Sequence, residues 1–341
     1  MTALWPEFDD ARLDDRAMLA QHDGVLRDLA LAGAHIRVEA AAAATTWIDP
    51  ELRPRGIVLA GHESRLIRAV VETTCPAPLV AWPHEGLPGW AGPLDLVVIQ
   101  ASGGEAGPLP GLVAEAARRG CALLVTAPAG GEVAERLAAR DATWVVTTTD
   151  DPVAAVVALL ELLYRAGLGP HLHAESVADA ADMVAEECSP HKDLSLNPAK
   201  GAAIALADAQ PLVWGGSMLA ARAARRIAEE VRRTTGRSAL ASPAGDLAPL
   251  LTAAEPRDTF ADLGEQAPRP VLVTLNDGDD DSYQAQGRAL LESIAAARQV
   301  RVVRLECDDA QAGAVGRHVA LLQQGLYMAA YLGVGCDRLP G

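Results

Sequence analysis

The stretch Ile57-Val58-Leu59-Ala60-Gly61-His62-Glu63-Ser64 is an apolar run that breaks on a small-residue turn and enters a helical pattern. The same grammar recurs at Leu96–Gly104, which ends Ala101-Ser102-Gly103-Gly104, and at Pro211–Ser217, which ends Trp214-Gly215-Gly216-Ser217. A strand that delivers glycine and serine to a helix N-terminus presents unpaired backbone N–H groups, hydroxyl donors and the positive end of a helix dipole. That is the chemistry of holding an anion, most often a phosphate. The candidate contacts are Gly61, Ser64, Ser102, Gly103, Gly104, Gly215, Gly216 and Ser217.

Outward from these turns, short apolar strands alternate with helices. Strands are expected at 56–60, 78–82, 95–100, 121–126 and 143–147, with helices at 63–74, 109–119 and 131–139. Apolar strands without strict alternation, separated by helices, imply an α/β fold with parallel sheets flanked by helices. A second series follows: strands at 211–214, 270–275 and 300–305, and helices at 217–234, 283–297 and 310–332. Residues 9–33 read as helical, as do 152–166 and 175–187, while 237–266 resist assignment. Asn197 suits an N-cap and Pro198 the first helical position. The expected organisation is an N-terminal helical segment over 1–54 packed on two lobes, a first lobe over 55–166, a helical connection over 167–195, and a second lobe with a C-terminal helix over 196–341.

The chain has 341 residues, of which 50% are hydrophobic and 4% aromatic, enough for two folded cores built on Ala, Leu and Val. Its formal charge of −16 argues against nucleic acid and anionic membranes, so an anionic ligand has to be held by local features. Cysteines 75, 121, 188, 307 and 336 are scattered, with no metal or disulfide spacing, which reads as reduced thiols in the cytoplasm. No signal peptide begins the sequence, and its longest apolar run, Val153–Leu160, is far shorter than the roughly 20 residues of a membrane span. The dinucleotide fingerprint and the phosphate loop ending in Gly-Lys-Ser/Thr are both absent, so no cofactor is expected.

The order of motifs resembles the sugar isomerase (SIS) domain superfamily, and more narrowly the bifunctional phosphoglucose/phosphomannose isomerases, which carry two such domains. The resemblance rests on Ile57–Ser64, on Trp82-Pro83-His84-Glu85-Gly86-Leu87-Pro88, and on Ser102-Gly103-Gly104-Glu105 in place of the family's Ser-Gly-Asn-Thr-Glu turn. It rests further on Asn197-Pro198-Ala199-Lys200 and on the C-terminal helix Gly325–Leu332 with Tyr327 and Tyr331. It implies two SIS-type lobes and a phosphosugar or similar small anion as ligand, held in a cleft between the lobes. A homodimer is compatible with it, because related proteins often complete their sites across a two-fold axis.

Isomerases of this family move a proton between C1 and C2 with a carboxylate, open the ring with a histidine, and steady the enediolate with a cation. Where the resemblance places the carboxylate and the histidine, this chain reads Val231-Arg232-Arg233-Thr234-Thr235-Gly236-Arg237 and Ser242-Pro243-Ala244-Gly245-Asp246-Leu247. Where it places the arginine, Pro152 is followed by Val153. Catalytic residues are therefore unassigned. The expectation is a phosphosugar-binding sensor, regulator or non-catalytic partner in hexose-phosphate metabolism. The alternative is an active glucose-6-phosphate/mannose-6-phosphate isomerase with a relocated acid and base, for which Glu230 and His191 or His318 are the candidates. A purely structural partner without a ligand is a third.

Several features carry plainer readings. Glu229 and Glu230 are expected on a solvated helix face with Arg225, Arg226, Arg232 and Arg233. His171, His173 and His191 lack the carboxylates or paired cysteines of a metal site. Asp277–Asp281 reads as an acidic turn before a helix, and Tyr327 and Tyr331 as packing.

Overall fold

The computed structural model describes residues 7–103, 107–138, 142–255, 269–278 and 281–339. A 3-10 turn, Asp10–Leu13, leads into α1 (Arg16–Gln21), α2 (Asp23–Ala30) and α3 (Ala32–Thr45). The single helix expected over 9–33 is thus broken. Asp15 caps α1 by accepting from Ala17 and Met18 N–H, and His22 leaves helical geometry between α1 and α2.

Then follow β1 (Ile57–Gly61), α4 (Ser64–Val71), β2 (Leu79–Ala81), β3 (Leu96–Gln100), α5 (Leu109–Arg119), β4 (Ala122–Pro128), α6 (Glu132–Leu137), β5 (Thr143–Thr147), α7 (Pro152–Arg165) and α8 (Ala174–Glu187). The remainder comprises α9 (Pro198–Ala205), β6 (Ala209–Gly215), α10 (Met218–Thr235), β7 (Leu240–Ala241), α11 (Ala244–Thr252), β8 (Arg269–Asn276), α12 (Ser282–Ala297), β9 (Val302–Glu306) and α13 (Gly313–Gly335).

Two compact units result, one formed by Ala32–Ala178 and the other by Met1–Leu31 with Asp179–Gly341. The first holds a five-stranded parallel sheet in the order β2-β1-β3-β4-β5, registered by Leu59 opposite Val98 and Val98 opposite Leu124. All five residues of β3 are buried, as are Ile57–Ala60 of β1, because helices cover both faces. The second unit holds β7-β6-β8-β9, also parallel, with Val213 opposite Val273 and Val273 opposite Val303. This order matches the first four strands of the first sheet. Among the described residues nothing corresponds to β5, since the chain passes from β9 into α13.

The long α13 forms the core of the second unit, with Tyr327 and Tyr331 fully buried and stacked at 6.2 Å between ring centroids. It lies so close to α10 that a β-carbon on Gly325 would sit 2.2 Å from Ile227 Cδ1. Asn197 caps α9 by accepting from Ala199 and Lys200 N–H, with Pro198 at the first position. One turn on, the fully buried Lys200 ammonium donates to Asp14 Oδ1 at 2.7 Å, Lys192 O at 2.8 Å and Pro190 O at 3.2 Å. Tyr331 donates its hydroxyl to Cys188 O at 2.6 Å. The Asn-Pro-Ala-Lys motif and the tyrosine pair are therefore one lock, tying residues 188–193 and the N-terminal segment to the core.

Burial pushes the Cys188 thiol up to about 12, mainly through desolvation. All five cysteines are unpaired. No helix among the described residues is long and apolar enough to cross a membrane.

Candidate functional site

In a parallel sheet the helix N-termini gather at the carboxyl ends of the strands, so the glycine-serine turns belong there. In the first unit Gly61 ends β1 with φ +112, and a β-carbon there would lie 2.1 Å from Gln100 O. Only glycine fits between the ends of β1 and β3. Gln100 is buried and joins the two turns, donating from Nε2 to Ser102 O at 2.5 Å and accepting at Oε1 from Glu63 N–H at 3.3 Å. Ser64 opens α4 and is buried, with the equally buried Glu63 as the residue before it.

The Ser102-Gly103 turn is satisfied from within. Ser102 Oγ pairs with Thr147 Oγ1 at 2.9 Å, and Gly103 N–H donates to Asp150 Oδ1 at 2.9 Å. Beside it, Thr148 and Thr149 N–H both donate to Glu39 Oε1, at 2.9 and 2.7 Å, from a glutamate that is wholly buried on α3. Side-chain carboxylates thus occupy these backbone donors. Gly104 lies outside the described residues.

In the second unit Gly215 ends β6, where a β-carbon would meet Ala220 C at 2.3 Å. That contact brings the start of α10 tight against the strand. Ser217 caps α10, its Oγ accepting from Ala220 N–H at 2.9 Å while its hydroxyl donates to the buried carboxylate of Asp277, at the end of β8. Asp281 caps α12 by accepting from Gln284 N–H at 2.8 Å.

Gly215 and Gly216 line a pocket of about 430 Å³ at the carboxyl ends of β6 and β7, enclosed by α10, α11 and α12. Trp214 forms one wall. Its indole is seated between Gly216 and Gly287, where β-carbons would stand 3.1 and 3.2 Å from the ring. Tyr283 and Leu290 of α12 stand at the rim, 81% and 48% exposed. Arg225 of α10 is the only cation in the described lining, and among the described residues it makes no hydrogen bond or ion pair. The Ser242 hydroxyl is committed to Asp246 Oδ2 at 2.8 Å. Among the described lining residues none is a carboxylate, histidine, lysine or cysteine.

The groups that could supply acid and base lie elsewhere. Glu230 is buried, unlike the solvated face expected for it, and is held by Arg233 Nη2 at 2.9 Å and Nε at 3.1 Å. At ~1.5 Å per residue it stands roughly 20 Å along α10 from Ser217. His318 is buried on α13 with Nδ1 3.0 Å from Leu219 O, and desolvation holds its pKa down to about 4. It is neutral at pH 7. His191 is exposed in the loop before α9. His171 and His173 stack edge-on at 4.2 Å between centroids, with Tyr164 against His171.

The glycines and serines of these turns were visible in the sequence, but their partners Asp150, Thr147, Glu39 and Gln100 were not, nor was the role of Trp214 and Arg225. Asp277 was visible only as part of an acidic turn. The unassigned stretch 237–266 supplies β7 and α11, and with them Ser242 and Pro243 of the pocket; residues 256–268 lie outside those described.

No protein-family model matches the sequence, and no curated protein is detectably similar to it. Solved structures are similar in fold over nearly the whole chain. A glucose-6-phosphate isomerase like protein from Thermus thermophilus is 18% identical, with a TM-score of 0.56 over 94% of this chain and 92% of its own. Tagatose-6-phosphate ketose/aldose isomerase from Escherichia coli is 14% identical, with a TM-score of 0.58 over 94% and 93%. The C-terminal domain of glucosamine-fructose-6-phosphate aminotransferase from Francisella tularensis is 11% identical, with a TM-score of 0.62 over 92% and 96%. The chain shares its fold with these solved structures, phosphosugar isomerases among them, as the motif order implied.

Proposed function

We propose that this protein binds a phosphosugar, or a related small organic anion, in the pocket beside Gly215 and Gly216 without isomerising it. It would then serve as a sensor, regulator or non-catalytic partner in hexose-phosphate metabolism. One observation carries the reading: the pocket joins a guanidinium unpaired among the described residues to a cavity of ligand size, yet its described lining holds no carboxylate, histidine, lysine or cysteine. Aldose–ketose interconversion needs a base that removes and returns a proton, and acid–base catalysis supplies roughly 10²–10⁴-fold of the rate. The described lining offers no carboxylate, histidine, lysine or cysteine to supply it. Binding alone remains as the chemistry the pocket supports.

The same reading assigns the protein to the cytoplasm and admits a homodimer, which light scattering on the purified chain would detect. The functional test pairs isothermal titration with a coupled assay, using glucose 6-phosphate, mannose 6-phosphate and fructose 6-phosphate. Binding that is lost in Arg225→Gln, with no turnover, is the expected result. Turnover above about 1 s⁻¹, the low end for ordinary enzymes, would overturn it and point to Glu230 with His191 or His318.

A further inference from the structure

The walls of the Arg225 pocket present more apolar surface than a hexose phosphate alone would use. A hexose brings several hydroxyls that each want a partner, and burying them unpaired is costly. The pocket offers the amides of Gln284 and Gln286 for such groups, and beside them the exposed phenol ring of Tyr283, Leu290, Pro243 and a row of alanines and glycines. Of its polar side chains, Ser242 is already paired with Asp246. Its one unpaired cation suits one anionic group.

Resting on the anion-binding reading above, we infer that the preferred ligand is a nucleoside monophosphate: a pentose phosphate whose flat aromatic base packs against the exposed ring of Tyr283 while Arg225 holds the phosphate. Two independent observations meet here. Tyr283 is 81% exposed at the rim, so a face of its ring is open to a flat ligand group. Arg225 is unpaired among the described residues, although the chain has only 29 basic residues against 45 acidic ones. An arginine with no carboxylate partner among the described residues is available to a phosphate, which it can grip through two N–H donors. The missing phosphate-loop and dinucleotide motifs do not oppose this, because the phosphate is assigned to a side chain and not to a glycine loop.

The test is titration calorimetry on the full chain with adenosine 5′-monophosphate, uridine 5′-monophosphate, ribose 5-phosphate and glucose 6-phosphate. Stacking on an aromatic side chain contributes roughly 10- to 100-fold in affinity per base. At least one nucleotide should therefore bind that much more tightly than ribose 5-phosphate. Tyr283→Ala, a change at an exposed rim position, should remove most of that advantage and leave ribose 5-phosphate unaffected. Arg225→Gln should weaken both. Equal binding of nucleotide and ribose 5-phosphate, or a nucleotide preference untouched by Tyr283→Ala, overturns the inference. Tighter binding of glucose 6-phosphate than of either nucleotide also overturns it but leaves the phosphosugar reading standing. Binding of none of the four sinks both.

Discussion

Replacing Lys200 by methionine tests the lock that joins the start of the chain to α9. The side chain is fully buried, and its ammonium is met by one carboxylate oxygen and two carbonyls within 3.2 Å. Two effects oppose each other. Methionine has nearly the same volume and avoids desolvating a charge, and swapping whole buried ion pairs for apolar groups is often neutral. Here the partners stay behind. Pro190 O and Lys192 O each lose a donor, at about 1 kcal/mol apiece where water has partial access. Asp14 is 44% exposed, so its lost ion pair is discounted to about 1 kcal/mol or less. The net expectation is a loss of roughly 2–3 kcal/mol, confined to the unit formed by Met1–Leu31 and Asp179–Gly341. Urea unfolding followed by circular dichroism reads it, with hydrogen exchange to locate it. Asp14→Asn should cost less than half as much. A Lys200→Met protein within about 0.5 kcal/mol of wild type would refute the reasoning, as would an Asp14→Asn variant equally destabilised.

Burial depresses His318 from 6.5 to about 4, so between these values the unfolded chain binds the extra proton. The stability this histidine contributes is complete above pH 6.5 and is lost as pH falls towards 4. The loss amounts to about 3 kcal/mol; urea midpoints across that window should show it, and His318→Gln should flatten the dependence. Gly215→Ala drives a β-carbon to 2.3 Å from Ala220 C and should cost at least about 2 kcal/mol. Gly245→Ala, with nothing within 4 Å, should be neutral or slightly stabilising on the same denaturant curves. Asp150→Ala frees Gly103 N–H and removes a carboxylate. Inorganic phosphate should then raise the melting temperature of the variant more than that of wild type; equal shifts would show that this turn holds no anion even when opened.

The strand–turn–helix units were legible because each combines an apolar run with residues that only a tight turn requires. Gly61 and Gly215 are irreplaceable for contacts that a glycine in the sequence already hints at. The two-residue β7 and the proline-bearing α11 were not legible, since Leu240–Ala241 is too short for any period and Pro249 disguises the helix. The continuous helix over 9–33 failed because Asp15 and His22 interrupt the backbone while the leucine spacing continues across them. At the turns, serine and glycine could be read locally. Whether their donors face a ligand or the protein itself depends on Asp150, Thr147 and Asp277, which lie 47, 45 and 60 residues away in sequence. No local pattern encodes such partnerships. Arg225 reads in sequence as one of several arginines on a helix face; only the structure shows that Arg226 and Arg233 find glutamates while Arg225 finds none among the described residues.

The Lys200 lock also bears on how the chain is made. One compact unit, Ala32–Ala178, is contiguous, whereas the other must wait for both of its segments. At translation rates of roughly 5–20 residues per second, about 7 to 30 seconds separate synthesis of the first segment from that of the second. During that interval Leu13 and Leu26, both buried in the finished protein, have no permanent cover. Early folding of Ala32–Ala178 would draw the waiting ends together and remove much of a loop-closure cost that grows to roughly 4 kcal/mol for a free chain of that length. The nascent protein is therefore expected to be most vulnerable to chaperone capture or proteolysis after its middle has folded and before Lys200 reaches Asp14.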